Sequence, residues 1–232
     1  MSAGLPLPDP DALQHLRAAG IDAPLAERLA VYAALVLAAN RRVNLTGAKT
    51  GAAFADHIVD ALTLTGDVVS PLIDVGSGNG IPGIPLALAT GAHVTLLEPI
   101  KKRAAFLTTT LAALGIPGDV IAARAEEAAR DPAHREAYRT AAARAVGTAP
   151  AVAELTIPFL AIGGRALLQR GAIEDRERNA LADAALVLGA ELTEERPLTG
   201  DRRILILTKT APTSPRFPRR DGIPTKRPLC LT

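Results

Sequence analysis

The sequence predicts an α/β fold: a seven-stranded, mostly parallel sheet covered on both faces by helices, with a helical cap ahead of it. Three observations predict it. From Pro71 onward short apolar runs alternate with helical stretches, a glycine-rich turn follows the first of those runs, and the residues before Pro71 carry helical spacing instead.

In chain order, helices are expected over 9–19 and 25–39, with Asp9 placed to cap the first and Leu13, Leu16, Leu25, Leu29 and Leu35 at near-helical spacing. A loop, NRRVNLTGAKT, leads to a third helix over 52–64 that sets His57, Asp60 and Ala61 near one side. Strands are expected over 72–75, 93–97, 120–123, 140–143, 165–169 and 204–208, with Gly163 and Gly164 opening the fifth run. Residues 191–196 read as a further edge strand paired with 204–208. The chain thus divides into an N-terminal helical extension over 1–66, a core over 67–211 and a basic tail over 212–232.

A chain of 232 residues, 48% hydrophobic and 22% charged, suits one globular domain with a small extension and a single site. The one cysteine, Cys230, allows neither an internal disulfide nor a cysteine zinc site and points to a reducing, cytoplasmic setting. No basic, apolar leader marks the N-terminus for export, since Asp9 and Asp11 fall where its apolar core would be. The longest apolar run, residues 30–39, is short of the roughly 20 residues that span a bilayer and is followed by Arg41 and Arg42, so it reads as a buried helix. No leftover apolar stripe argues for an oligomer, and a monomer is expected. Net charge is only +2, but RFPRRDGIPTKR near the C-terminus carries Arg216, Arg219, Arg220, Lys226 and Arg227 against Asp221. With Pro218 and Pro224 opposing a regular helix, it reads either as an extended strap for phosphate contacts or as a solvated end.

The turn Asp74-Val75-Gly76-Ser77-Gly78-Asn79-Gly80 lies where ligands bind in open α/β sheets, beyond the carboxyl end of the first strand. Glycines there let the backbone approach a ligand, and amides at the following helix start favour a carboxylate or phosphate. Nicotinamide and flavin sites use the same kind of turn. Here, however, one residue instead of two separates the second and third glycines, Asp74 precedes Gly76 by two, and Pro82 and Pro85 fall in the first helical turn. Glu98 ends the second strand 18 residues after Gly80, close to the roughly 20 expected for an acid bonded to ribose hydroxyls. The conjunction favours S-adenosylmethionine, whose methionine carboxylate fits the amides, and so a Rossmann-like class I methyltransferase. Arg124, Ala125 and Glu126 then fall at the end of the third strand, on the adenine side, and Arg144 at the end of the fourth, on the methyl side.

Several segments resemble one family, the glucose-inhibited division protein B type of small-subunit ribosomal RNA methyltransferase G. They are RRVNLTG, HIVDALTL, IDVGSGNGIPGIPLAL, LLEPIKKRAAFL, RAEE, ARAVGTAPAVAELTIPFL and PRRDGIPTKRPL, in that order over nearly the whole chain. The resemblance implies N7 methylation of one guanosine in 16S rRNA of the small ribosomal subunit. It also implies cofactor contacts at Gly76 and Ile81, at Glu98, Pro99 and Ile100, at Ala125 and Glu126, and at Arg144. One departure is Arg139 after Tyr138, where relatives usually have an aspartate; it alters local surface charge and not the pocket.

Guanine N7 has a lone pair and no hydrogen, so methylation there needs no general base, and no catalytic acid or base is expected. Asn44, His57, Asp60 and Arg144 are candidates to hold the guanine edge or its phosphate. A flipped base commonly needs a stacking partner; with no Trp, the donors are an arginine plane, a proline, Phe54 or Tyr138. Arg41, Arg42, Lys49, Lys101, Lys102 and Arg103, with Arg219 and Arg220 of the tail, would line an RNA path. A small-molecule acceptor and a cofactor-binding assembly factor without turnover are the competing readings.

Overall fold

The computed structural model describes residues 5–144 and 147–230, so Ala145 and Val146 of the ARAVGTAP segment lie outside the described residues. Three helices come first: α1 (Pro10–Ala18), α2 (Ala23–Val43) and α3 (Gly51–Leu62). Each opens on a side chain that accepts from an otherwise orphan amide, Asp9 from Ala12, Asp22 from Leu25 and Thr50 from Ala53. The second helix runs past its expected end because Asn40, Arg41 and Arg42 interrupt the apolar pattern without breaking the backbone. It stops at Asn44, which adopts the left-handed conformation at φ 54°. α2 is long and apolar enough to cross a membrane, yet Leu29, Tyr32, Ala33 and Val36 on it are buried in the core.

Seven strands follow: β1 (Leu72–Val75), β2 (Val94–Leu97), β3 (Gly118–Ile121), β4 (Tyr138–Arg144), β5 (Leu160–Arg170), β6 (Ala190–Pro197) and β7 (Arg203–Lys209). They form one sheet in the order β3-β2-β1-β4-β5-β7-β6. β7 alone runs antiparallel to its neighbours, pairing with β5 on one side and with the edge strand β6 on the other. β1 lies where the apolar run placed it, whereas β3 starts earlier than expected, because its pairing runs from Val94↔Gly118 to Leu97↔Ile121. β5 also starts early, at Leu160, which pairs with Tyr138 across a register shift ahead of Gly163 and Gly164.

Helices α4 (Gly83–Thr90), α5 (Lys101–Leu114), α6 (Ala125–Ala128), α7 (Ala149–Thr156) and α8 (Asp175–Leu188) connect the strands, and α9 (Ile223–Lys226) closes the described chain. The two-residue period of the strands sorts their side chains between two cores. Leu72, Leu96, Ala142, Leu167, Ile204 and Ile206 face the core shared with α1 to α5. Ile73, Leu97, Ala141, Leu168, Leu205 and Leu207 face the core shared with α7 and α8. After β3 at the sheet edge the chain returns to place β4 beside β1, which opens a crevice at their carboxyl ends.

The C-terminal segment corrects the expectation of an extended basic strap. Thr213 and Phe217 are buried, and the Arg135 guanidinium donates to the carbonyls of Thr213, Ser214 and Phe217. Pro224 does not prevent a helix; it sits in the first turn of α9, where its missing N–H is no loss. Arg219 is not available to RNA. Its Nη2 lies 2.6 Å from Oε2 of Glu154, a fully buried carboxylate on α7, and its backbone N–H donates to Oε1 of the same residue at 2.7 Å. Arg220 remains exposed.

Removing one partner of a buried ion pair strands the other charge. Arg219→Ala is therefore expected to lower unfolding free energy by about 3–5 kcal/mol, and Arg220→Ala by less than about 0.5 kcal/mol, both by urea denaturation. Equal effects would mean that the Glu154 pair does not anchor the tail.

Candidate functional site

The turn from β1 into α4 is held through its backbone amides, some donating to carbonyls and others to side-chain oxygens. Gly76 and Ser77 both donate to the Leu97 carbonyl at the end of β2, at 2.9 and 3.0 Å. Gly78 donates to Oε2 of Glu98 at 2.9 Å, and Ile100 donates to Oε1 of the same carboxylate at 2.8 Å. One buried glutamate thus ties the glycine turn to the start of α5. Gly76, Gly78 and Gly80 have φ of 76°, 57° and 105°, left-handed values that side chains resist.

Asp74 lies beneath this turn and not on its open face. It is 1% exposed, its Oδ2 accepts from the Gly83 N–H at 3.0 Å, and its Oδ1 is buried with no partner among the described residues. Burial, with Glu98 adding to it, pushes this carboxyl up to about 7 against the pull of the Gly83 and Ser77 hydrogen bonds. Gly83 is a site residue that the sequence reading missed. A Cβ there would come within 2.6 Å of Leu96 and 2.8 Å of Asp74, so only glycine lets α4 sit this close to the sheet.

Two cavities meet at Gly76. One, of about 150 Å³, is lined by Val75, Gly76, Leu97, Pro99, Arg124, Ala125, Glu126, Leu155 and Thr225. The other, of about 250 Å³, is lined by Leu45, Thr46, His57, Gly76, Ser77, Gly78, Asn79, Ile81 and Arg144. Of the expected cofactor residues, Gly76, Gly78, Ile81, Pro99, Ala125, Glu126 and Arg144 line one cavity or the other. Glu98 and Gly80 are buried behind the turn, and Ile100 is exposed just beyond it. Thr225 enters from the tail because Glu126 holds Gly222, whose N–H donates to its Oε1 at 2.8 Å. A basic sequence gives no hint of that wall.

The loop after α2 supplies the opposite side. Asn40 accepts from the Leu45 and Thr46 amides and donates to the Thr46 carbonyl, shaping the turn. Asn79 donates to the Leu45 carbonyl, and Tyr32 donates to the Asn79 carbonyl, so the cap is fastened directly to the glycine turn. Asn44, expected at the acceptor, caps α2; its carbonyl accepts from Arg103, and it lines a separate cavity with Leu37, Asn40 and Arg41. The two aromatic stacking candidates are both buried, which leaves an arginine plane or a proline from the expected set. Phe54 is fully buried against Tyr32, and Tyr138 is 5% exposed, with its hydroxyl hydrogen-bonded to Thr95 and His134.

His57, Asp60 and Arg144 do come together. Arg144 lies 3.2 Å from Oδ2 of Asp60, and Arg202 lies 2.8 Å from Oδ1 of the same buried carboxylate. Arg144 also donates to the His57 carbonyl at 3.3 Å and approaches Nδ1 of its ring at 3.2 Å. Burial first, and then the Arg144 charge, lower the His57 pKa. Asp60 is therefore a clamp on two arginines, whereas His57 and Arg144 face the cavity. Arg41, Arg42, Lys49, Lys101 and Lys102 are exposed, as an RNA path would need, but Arg103 is engaged with the Asn44 carbonyl.

The sheet order with its antiparallel β7, together with the glycine turn at the β1 and β4 crevice, defines a Rossmann-like class I methyltransferase fold. Among solved structures, the mitomycin 7-O-methyltransferase MmcR aligns with TM-score 0.54 at 14% identity, over 69% of this chain and 56% of that one. MtNAS in complex with S-adenosylmethionine aligns with TM-score 0.53 at 13% identity, over 88% of this chain and 85% of that one. At such identities the likeness concerns the fold alone. Residues 25–205 match the profile of the family described as rRNA small subunit methyltransferase G (GidB), and the chain belongs to that family. Ribosomal RNA small subunit methyltransferase G of Roseiflexus castenholzii is 42% identical, covering 88% of this chain and 91% of its own length. The protein of the same name from Rubrobacter xylanophilus is 40% identical over 84% and 81%, and that of Deinococcus deserti is 37% identical over 95% and 98%.

The raised Asp74 pKa has a signed consequence. Between about pH 4 and pH 7 the folded chain keeps a proton that the unfolded chain releases, so this group's contribution falls as pH rises through that window and is level above it. Asp74→Asn keeps an acceptor for Gly83 and removes the titration. Urea unfolding at pH 5 and pH 8 is expected to show a smaller loss for the variant than for the wild type, by an amount on the order of a few kcal/mol. An unchanged difference would place the carboxyl at an ordinary pKa.

Proposed function

We propose that this chain transfers the methyl group of S-adenosylmethionine to N7 of one guanosine in 16S rRNA of the small ribosomal subunit, acting as a cytoplasmic monomer. The observation that carries the reading is the pair of cavities joined at Gly76, one largely apolar and walled by Ala125, Leu155 and Thr225, the other walled by glycine-turn backbone and Arg144, in a chain of the rRNA methyltransferase G family.

S-adenosylmethionine supplies an electrophilic methyl group on a sulfonium. The chain's own residues hold and orient. Val75, Leu97, Pro99, Ala125 and Leu155 offer apolar walls for an adenine ring, and Glu98, the acid at the end of β2, already accepts from Gly78 and Ile100, so a ribose hydroxyl would use a remaining lone pair of the same carboxylate. The turn from Gly76 to Ile81 faces the methionine, and Arg144 and His57 face the reacting end. Because guanine N7 has no proton to lose, none of these groups is assigned as a base. Positive charge passes from the sulfonium to the purine during transfer, so the site should add little net cation beside the acceptor. Asp60 meets part of that demand: its single negative charge, shared by Arg144 and Arg202, offsets one of their two positive charges. Exposed Arg41, Arg42, Lys101, Lys102 and Arg220 would attract the RNA backbone.

Labelled methyl transfer to small ribosomal subunits from cells lacking the enzyme, with the product nucleoside identified by mass, tests this. The expected product is 7-methylguanosine at a single 16S position. Cofactor binding without labelled RNA would leave a binder or an enzyme with another acceptor.

A further inference from the structure

His57 offers a hydrogen-bond donor of fixed position to the reacting end of the cavity beside the glycine turn, for a reason set by its neighbour. Arginine has only donors, so the 3.2 Å approach of Arg144 Nη2 to Nδ1 requires that Nδ1 carry a lone pair. The ring proton of the neutral imidazole is then on Nε2. Among the described residues Nε2 makes no hydrogen bond, and it is absent from the buried, unpartnered atoms, so it is open on a half-buried ring that lines the cavity beside the glycine turn. Protonation of Nδ1 would set a second cation against Arg144. Burial and the Arg144 and Arg202 charges oppose it more than Asp60 and Asp56 favour it, which keeps the ring neutral.

On the Hoogsteen edge guanine presents two acceptors, N7 and O6, whereas adenine presents the same N7 beside an N6 donor. A fixed N–H next to the methyl acceptor therefore distinguishes the purines without touching the nucleophilic lone pair. We infer that His57 is a specificity-determining residue whose Nε2–H, oriented by Arg144, donates to O6 of the target guanine and rejects adenine by opposing its N6 donor. The inference rests on the N7-methylation reading. A neutral donor suits the reaction, because an imidazolium at O6 would repel the charge that develops on the purine, whereas imidazole steadies the base at little electrostatic penalty.

The test is a cycle of enzyme and substrate changes. Small subunits are reconstituted with 16S rRNA carrying either guanosine or 2-aminopurine riboside, which keeps N7 and lacks O6, at the target position. Wild type, His57→Ala and His57→Gln are compared by kcat/KM, with S-adenosylmethionine affinity measured calorimetrically to verify each folded site. Expected is a wild-type preference for guanosine that His57→Ala reduces by roughly 10- to 100-fold, mostly on the guanosine substrate, while His57→Gln, which retains an N–H, recovers part of it. If His57→Ala slows both substrates equally and leaves the preference intact, His57 does not read O6. If the wild type places no methyl on guanosine N7 at all, the parent reading fails before this one is reached.

Discussion

Glu98 commits both carboxylate oxygens to backbone amides, one on the glycine turn at Gly78 and one at Ile100 ahead of α5. That double attachment fixes the ends of β1 and β2 against each other at the point where the sheet opens. Beneath it, Asp74 holds the first amide of α4 through Gly83. The three left-handed conformations are open to the turn because the residues are glycines, and their amides are satisfied by the Leu97 carbonyl at Gly76, by Glu98 at Gly78 and by the Ser77 carbonyl at Gly80. The cavities on both sides of Gly76 inherit their shape from this arrangement.

The remaining walls are delivered from far along the chain and fastened by charge or hydrogen bond. The cap reaches the turn through Tyr32 and Asn79, the tail is moored by Arg219 on Glu154 and by Gly222 on Glu126, and α3 is joined to β4 through Asp60 and Arg144. Each tie places one side of the site. The C-terminal segment thus does two things at once: Arg219, moored on Glu154, helps hold the stretch that brings Thr225 to the cavity wall, and Arg220 stays exposed.

Features set by local chemistry were legible in the sequence. β1 was readable from the apolar residues Leu72, Ile73 and Val75, and the glycine turn from its spacing, because both depend on neighbours a few residues away. Arg144 was placed correctly at the end of β4 by counting strands. What sequence pattern could not give were pairings across long separations, such as Asp60 with Arg202 or Glu154 with Arg219, since nothing local distinguishes a paired arginine from a solvated one. The backbone role of Asn44 was hidden for a related reason: a polar residue in a motif suggests a ligand contact, and its left-handed cap and the carbonyl bonded to Arg103 emerge only from the fold. Phe54 and Tyr138 looked available as aromatics, and only burial excludes them.

The most direct measurement is a crystal structure with S-adenosylhomocysteine bound. The adenine should lie among Pro99, Ala125, Leu155 and Thr225, the ribose hydroxyls on Glu98, and the amino-acid end along Gly76 to Ile81, with the sulfur directed toward His57 and Arg144. Density for the ligand away from Gly76, or a ribose out of hydrogen-bonding reach of Glu98, would contradict the role given to this turn.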